Sequence, residues 1–215
     1  MRYVIGGAEI RTENAAKPSS QKSSSVDDYI GSLDNAPSIL DFGCGKLRYS
    51  DTLVSAASKV TFVDSAVQLS RKQVIREEKT TVEKYVEANY PGCNTVSYEK
   101  LNEHNSKYDV ITCTNVLSAI PCKETISDVM NHIFRLLKKD GLAIFVNQHR
   151  SSYFKRYESG ERLLYGFLHS GPKGTSYYGV FDRTAIEQLL TEHGYRVIRT
   201  WCVGETTFSE AIPNS

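Results

Sequence analysis

The sequence predicts a doubly wound α/β fold, a mostly parallel sheet with helices on both faces. Three observations carry this. Short apolar runs alternate with helix-forming stretches. Those runs are nearly continuous in apolar residues, as strands covered on both faces are. A glycine turn, Gly43-Cys44-Gly45, closes the first of them, where such a sheet presents its ligand edge.

The elements follow in order. Residues 1–25 hold Gly6-Gly7, Pro18 and five serines, and read as a loosely ordered or lid-like arm. Ser25 is placed to cap a helix over 26–33, with Val26, Ile30 and Leu33 on one face. Residues 38–42 form the first strand, 49–57 a helix and 59–64 the second strand. The charged stretch 66–89 reads as one long helix, closed by Pro91-Gly92. Residues 95–98 are a weak third strand and 108–115 a fourth. A helix over 125–139 puts Ile126, Val129, Ile133, Leu136 and Leu137 on one side, and 142–146 is the fifth strand. Residues 147–181 break the rhythm as an insertion, with a helical lid as its simplest form. A helix over 184–193 and strands at 195–203 and 206–212 complete one domain, 26–215, behind the arm.

Composition bounds the function. The 215 residues carry 26 Lys and Arg against 25 Asp and Glu, a net charge of +1. That excludes a protein basic all over, the usual nucleic-acid or anionic-membrane binder. No apolar run approaches the ~20 residues that span a bilayer. No long apolar block in residues 1–25 suggests a secretion signal. The five cysteines are scattered and never form CxxC, which fits reduced thiols in the cytoplasm and no zinc or other metal site.

The chemistry concentrates at Ile39-Leu40-Asp41-Phe42-Gly43-Cys44-Gly45 and at Asp64, which ends the second strand. Glycines after a strand let backbone N–H groups approach a ligand. The helix that follows points its positive end at that loop. An acid about 20 residues on, at the next strand tip, can accept both hydroxyls of a ribose. The dinucleotide pattern GxGxxG fails at Arg48, and GxxxxGK[ST] is absent. A nucleoside-bearing cofactor without a pyrophosphate cradle is therefore expected.

The run from Asp41 to Gly45 resembles the first motif, D-x-G-x-G-x-G, of class I S-adenosylmethionine-dependent methyltransferases. Asp64 matches the acid of that family's second strand. Tyr108-Asp109-Val110-Ile111 with Asn115 to Pro121 resembles its fourth motif, and Leu136 to Leu142 the turn before its fifth strand. The resemblance covers about residues 36–203. It implies a seven-stranded sheet ordered 3-2-1-4-5-7-6 and S-adenosylmethionine as cofactor. It also places Gly43, Cys44 and Gly45 at the methionine part, Asp41 at its amino group, and Asp64 with Ser65 at the ribose. One of Asn102, Glu103 or His104 is expected at the adenine, and Asn115 beside the sulfonium. Two departures stand out: Leu47 replaces the third glycine, and Lys139-Asp140 replaces Pro-Gly in the later turn.

The acceptor is less defined. The four residues from Asn115 are not the [DNS]-P-P-[YFW] of amino-methylating DNA enzymes, and Pro121-Cys122 lies at a helix start. His149, just past the fifth strand, is the candidate general base, its pKa being near neutrality. The insertion has six cations against three carboxylates over 147–183, and eight Tyr and Phe side chains. Arg150, Tyr153, Tyr157 and Tyr178 are its candidate acceptor contacts. Such a mixture can wall a small-molecule pocket or stack and grip a nucleic acid. An O- or N-methyltransferase of a small molecule is the expectation. The alternatives are an RNA or DNA methyltransferase and a non-catalytic cofactor-binding module.

Overall fold

In the computed structural model, residues 2–33, 36–149, 155–171 and 174–214 are described. The chain opens with a hairpin, β1 (Arg2–Ile5) and β2 (Ala8–Arg11). Two 3-10 turns lead to α1 (Ser24–Gly31). Alternation then sets in with β3 (Ile39–Phe42), α2 (Ser50–Ala56), β4 (Val60–Asp64) and α3 (Ala66–Ser70). A small hairpin, β5 (Gln73–Ile75) and β6 (Glu78–Thr80), precedes α4 (Val82–Asn89) and β7 (Asn94–Ser97). Next come β8 (Tyr108–Thr114), α5 (Lys123–Leu136) and β9 (Leu137–Gln148). The insertion supplies β10 (Glu161–Leu163), β11 (Gly166–Gly171) and β12 (Gly174–Gly179). The chain ends with α6 (Arg183–Glu192), β13 (Tyr195–Val203) and β14 (Thr206–Pro213).

The main sheet is ordered β13-β14-β9-β8-β3-β4-β7. It is mixed. The pairs from β9 through β8, β3 and β4 to β7 are parallel, while β14 runs antiparallel to both β9 and β13. The reversal follows from the link between the last two strands. They are joined by Gly204-Glu205, with Gly204 at φ +57°, and a connection so short can only turn the chain back on itself.

Apolar residues alternate between the two sheet faces. Leu40, Phe42, Ile111 and Phe145 pack under α5 and α6, with Ile126, Ile133, Ile186 and Leu190. Ile39, Phe62, Val110 and Ile144 pack under α1, α2 and α4, with Ile30, Leu53 and Val86. Among the described residues no helix is long and apolar enough to cross a membrane.

Four expectations are corrected. The single helix over 66–89 is instead α3, the β5–β6 hairpin and α4. Arg76 and Glu77 both take positive φ, as a two-residue hairpin turn needs, and Ile75 is buried. The Thr81 hydroxyl accepts the Lys84 N–H and restarts the helix. The helix expected to reach Lys139 stops at Leu136, because buried Leu137 already pairs with Tyr108 and Lys138 Nζ reaches Asp109 at 2.8 Å. Among its described residues the insertion holds one 3-10 turn, Lys155–Tyr157, and no α-helix. β10, β11 and β12 form an antiparallel ribbon, and β2 of the arm joins it in parallel at Thr175 and Ile10. The arm expected to be loose is thus part of a second sheet, ordered β1-β2-β12-β11-β10, with Ile10 buried against Leu168 and Tyr177.

Candidate functional site

A cavity of about 580 Å³ opens at the carboxyl ends of the parallel strands, the edge where open α/β sheets bind ligands. Gly43, Asp64, Tyr98, Asn115 and Gln148 each stand at the end of a strand or just past it, and all line it. A further wall comes from the arm, Ile10 to Thr12 and Ala15 to Lys17, and from β12, Ser176 to Gly179. Its size falls within the ~300–1,000 Å³ of small-ligand pockets.

The glycine loop is fixed by backbone bonds to its neighbouring strand. Gly43 and Cys44 N–H both donate to the Val63 carbonyl, at 2.7 and 3.0 Å. Gly43 has φ +80°, and a Cβ there would lie 2.2 Å from Val116 Cγ2, so only glycine fits. Asp64 Oδ2 accepts Gly45 N–H at 2.9 Å and Oδ1 accepts Ser65 N–H at 2.8 Å. The Ser65 hydroxyl caps α3 through Gln68 N–H, and Gln68 Nε2 returns to the Gly45 carbonyl at 2.5 Å. Leu47 keeps the left-handed backbone of the glycine it replaces, φ +59°, while its side chain is fully buried in the core and does not line the cavity.

Two carboxylates dominate the electrostatics. Burial pushes Asp41 up to about 7; the Thr112 hydroxyl, donating at 2.9 Å, works against this and the nearby Asp64 adds to it. Burial also raises Asp64, with the Gly45 and Ser65 N–H groups holding it down. Cys44 is buried and its thiol lies well above its ordinary value, which makes it inert.

Of the expected cofactor residues, Asp41, Gly43, Cys44, Gly45, Asp64, Ser65 and Asn115 all line the cavity. Glu103 and His104 do not. The 3-10 turn Tyr98–Glu103 carries the chain from the carboxyl edge of β7 toward the amino end of β8. Its first residue, Tyr98, therefore lines the cavity, and its last ones leave it. His104 Nε2 instead meets the Tyr108 hydroxyl at 2.7 Å, and burial lowers its pKa. Tyr98 stands edge-on to Phe42 and His132, and burial pushes its hydroxyl up to about 12. The strand-three boundary was the signal for Tyr98: the residue that ends such a strand faces the ligand edge.

No histidine lines the cavity among the described residues. His149 donates its backbone N–H to the Glu205 carbonyl at 3.1 Å, and its Nδ1 is buried without a partner. Tyr178 lines the cavity and stacks on buried Tyr157, with centroids 4.1 Å apart and planes 9° apart. Tyr157 is therefore the support behind Tyr178 and not itself a wall residue. Arg150 and Tyr153 lie outside the described residues. Cys122 precedes α5 and donates to Glu124 at 3.0 Å, away from the cavity.

Sequence reasoning missed Gln68, Thr114, Ser118 and Gln148, and gave the arm a lid-like role without naming which of its residues line the cavity. Thr114 and Gln148 end strands, and Gln68 and Ser118 sit in short helical turns just past strand ends. Their side chains bear on whether the cavity fits a polar cofactor. Gln68 Oε1, Thr114 Oγ1 and Ser118 Oγ are buried with no hydrogen-bond partner, a costly arrangement that a polar ligand relieves. With the Gly43 cradle and the two carboxylates, the donor set fits S-adenosylmethionine.

The comparisons agree with this geometry. The methyltransferase-domain family profile matches residues 12–200. The chain is 45% identical over 201 residues to the uncharacterized Escherichia coli (strain K12) protein YmfD, covering 94% of this chain and 91% of that one. It is 28% identical over 158 residues to a ubiquinone biosynthesis O-methyltransferase of Actinobacillus pleuropneumoniae, covering 68% of this chain but only 60% of the relative. Among solved structures, Burkholderia thailandensis 1,6-didemethyltoxoflavin-N1-methyltransferase superposes with a TM-score of 0.64 at 13% identity, over 89% of this chain and 78% of that one. The N-methyltransferase NodS of Bradyrhizobium japonicum superposes at 0.59 and 13% identity, over 89% and 87%. Those two share the fold. With a family match spanning most of its length and the motif residues gathered at one sheet edge, the chain belongs to the class I S-adenosylmethionine-dependent methyltransferases.

Proposed function

We propose that this methyltransferase acts on an oxygen or nitrogen atom of a small molecule. The observation that carries the reading is the wall that the second sheet adds to the cavity: Ile10, Arg11 and Thr12 of the arm and Ser176 to Gly179 of β12 line it together with the glycine loop. They leave a space of small-molecule size, where a nucleic-acid enzyme would present an open basic groove. The activities of the similar proteins, a ubiquinone biosynthesis O-methyltransferase, the 1,6-didemethyltoxoflavin-N1-methyltransferase and the N-methyltransferase NodS, support it.

When bound, S-adenosylmethionine supplies an electrophilic methyl group on a sulfonium. The protein binds and orients. Gly43 and Gly45 would bring backbone to the methionine part, and Asp41 would meet its cationic end. Asp64 would take the ribose hydroxyls with Ser65 beside it. Tyr98, in place of Glu103 or His104, would hold the base, and Asn115, fixed by its N–H to the Val146 carbonyl at 2.7 Å, would serve the sulfonium end. Methyl transfer is an in-line displacement, so alignment of the acceptor by the arm and β12 is the main contribution required. With no histidine at the cavity, an acceptor atom that is already nucleophilic, an ionised phenol or a neutral amine, suits this site.

The test is calorimetry with S-adenosylmethionine and S-adenosylhomocysteine, followed by transfer of labelled methyl to panels of phenols, amines and short RNA. Micromolar cofactor binding and label on a small molecule are expected. Label on RNA with affinity falling steeply in salt would replace the acceptor class. Cofactor binding with no label on any acceptor would favour the non-catalytic cofactor-binding module, and absence of cofactor binding would overturn the cofactor reading itself.

A further inference from the structure

We propose that the acceptor is an anion on an aromatic ring, a carboxylate or a phosphate monoester. Its charge is read by Lys17, Lys46 and Arg48. The proposal rests on the function proposed above and narrows its substrate.

All three cations line the cavity. Among the described residues none of them lies within ion-pair distance of a carboxylate, whereas Arg11 is paired with Glu9 and Lys22 with Asp27. Arg48 is half-buried. Its guanidinium lies over the Tyr49 ring at 5.1 Å and donates to the Gln21 carbonyl, yet its Nε is buried with no partner. A buried donor on a cation without a counter-charge is an expensive feature, and one that points to an absent anion.

The three belong to one seam. The arm runs beside the glycine loop: a Cβ on Gly45 would lie 3.4 Å from Ala16 Cβ, which puts Lys17 next to the loop bearing Lys46. The bond from Arg48 to Gln21 closes the same seam four residues further along the arm. The cavity's buried carboxylates are engaged elsewhere, Asp64 with the Gly45 and Ser65 N–H groups and Asp41 with Thr112.

Charge counting then decides what the cations serve. The cofactor brings a single carboxylate, which matches one cation at most. Two positive charges remain on the seam between the glycine loop and the arm, whose Ile10 to Thr12 line the same cavity beside β12. Tyr178, braced by its stack on Tyr157, offers the flat face on which a ring rests. An acceptor with one or two negative charges on an aromatic ring satisfies both features.

The experiment uses the full chain saturated with S-adenosylhomocysteine, titrated with benzoate, phenyl phosphate and neutral benzamide by calorimetry. We expect one or both anions to bind at least about tenfold more tightly than benzamide, with a preference that shrinks as salt rises. Whichever anion binds more tightly names the carboxylate or the phosphate monoester. A Lys17→Gln/Lys46→Gln double variant is expected to lose about tenfold for the anions while its affinity for S-adenosylhomocysteine stays within about threefold. Arg48 is left intact, because its bond to Gln21 also holds the arm. Equal affinity for benzamide overturns the proposal. So does absence of anion binding up to about 10 mM, where even one weak contact is detectable. A double variant that loses S-adenosylhomocysteine instead of the anions overturns it too, by assigning the cations to the cofactor's own carboxylate. Failure of the wild type to bind S-adenosylhomocysteine appears in the first titration and overturns the cofactor reading beneath it.

Discussion

Asp64 Oδ2 accepts the Gly45 N–H at 2.9 Å, which ties the tip of β4 to the glycine loop of β3. Oδ1 accepts the Ser65 N–H at 2.8 Å and, at a long 3.5 Å, the Ser65 hydroxyl; the two N–H bonds leave a lone-pair position on each oxygen that the hydroxyls of a ribose can fill as the weak Ser65 contact gives way. Asp64→Ala is therefore expected to weaken S-adenosylmethionine binding about 100-fold, the worth of two hydrogen bonds to a charged group. Asp64→Asn should recover little, because an amide turns a donor toward Gly45 or Ser65. Calorimetry on both variants measures this, and near wild-type affinity in Asp64→Asn would show that the charge and both oxygens are dispensable.

Asp41 makes stability depend on pH. Its carboxyl titrates at about 7 in the folded chain against an ordinary value of 3.8. Between those limits the folded state keeps a proton that the unfolded chain has lost. Stability is thus fully present below about pH 4, falls as pH rises to about 7, and is level above that. Asp41→Asn removes this slope while its amide oxygen still accepts from Thr112. Its melting temperature should match wild type near pH 4 and exceed it at pH 8. Binding of a cationic cofactor should also strengthen through pH 7 in the wild type, and the variant should show a flat profile.

Gly43 and Val116 form a tight steric pair at the floor of the cavity. Gly43→Ala combines left-handed strain of about 1–2 kcal/mol with a methyl 2.2 Å from Val116 Cγ2. A loss of about 2–4 kcal/mol is expected, read by urea unfolding. Val116→Ala in the same chain should restore the steric share, leaving the strain. A coupling of about 1–2 kcal/mol is predicted, and simple additivity would mean that the loop shifts to make room.

The parallel core of the sheet and the glycine-loop edge of the cavity were legible because they rest on local rules. Asp41, Gly43, Gly45 and Asp64 are placed by strand ends and by backbone conformations that few residues satisfy. The acceptor half depends on pairing between distant segments, which periodicity does not report. Ile10 meets Thr175 across more than half of the chain, so neither the arm nor the insertion reads as a sheet by itself. The Glu103 and His104 expectation failed for a related reason. The direction taken by a six-residue 3-10 turn decides which of its ends faces the cavity, and the residue types alone carry no such direction.

Leu47 tests how far the motif departure reaches the function. At φ +59° it holds a conformation that costs a non-glycine residue about 1–2 kcal/mol, yet its side chain is fully buried. Restoring the motif with Leu47→Gly relieves the strain and removes a core leucine, a change that costs about 2–5 kcal/mol for Leu→Ala elsewhere. The net expectation is destabilisation by about 1–4 kcal/mol, not the gain that the motif suggests. Leu47→Ala should be at least as destabilising as Leu47→Gly, because it loses the packing and keeps the strain. At a buried position with negative φ, glycine would instead be worse by about 1 kcal/mol. Because the leucine points into the core, S-adenosylmethionine affinity should stay within about threefold in both variants. A tenfold gain in Leu47→Gly would show that the departure weakens the cofactor site, with the backbone at this position held back from the ligand.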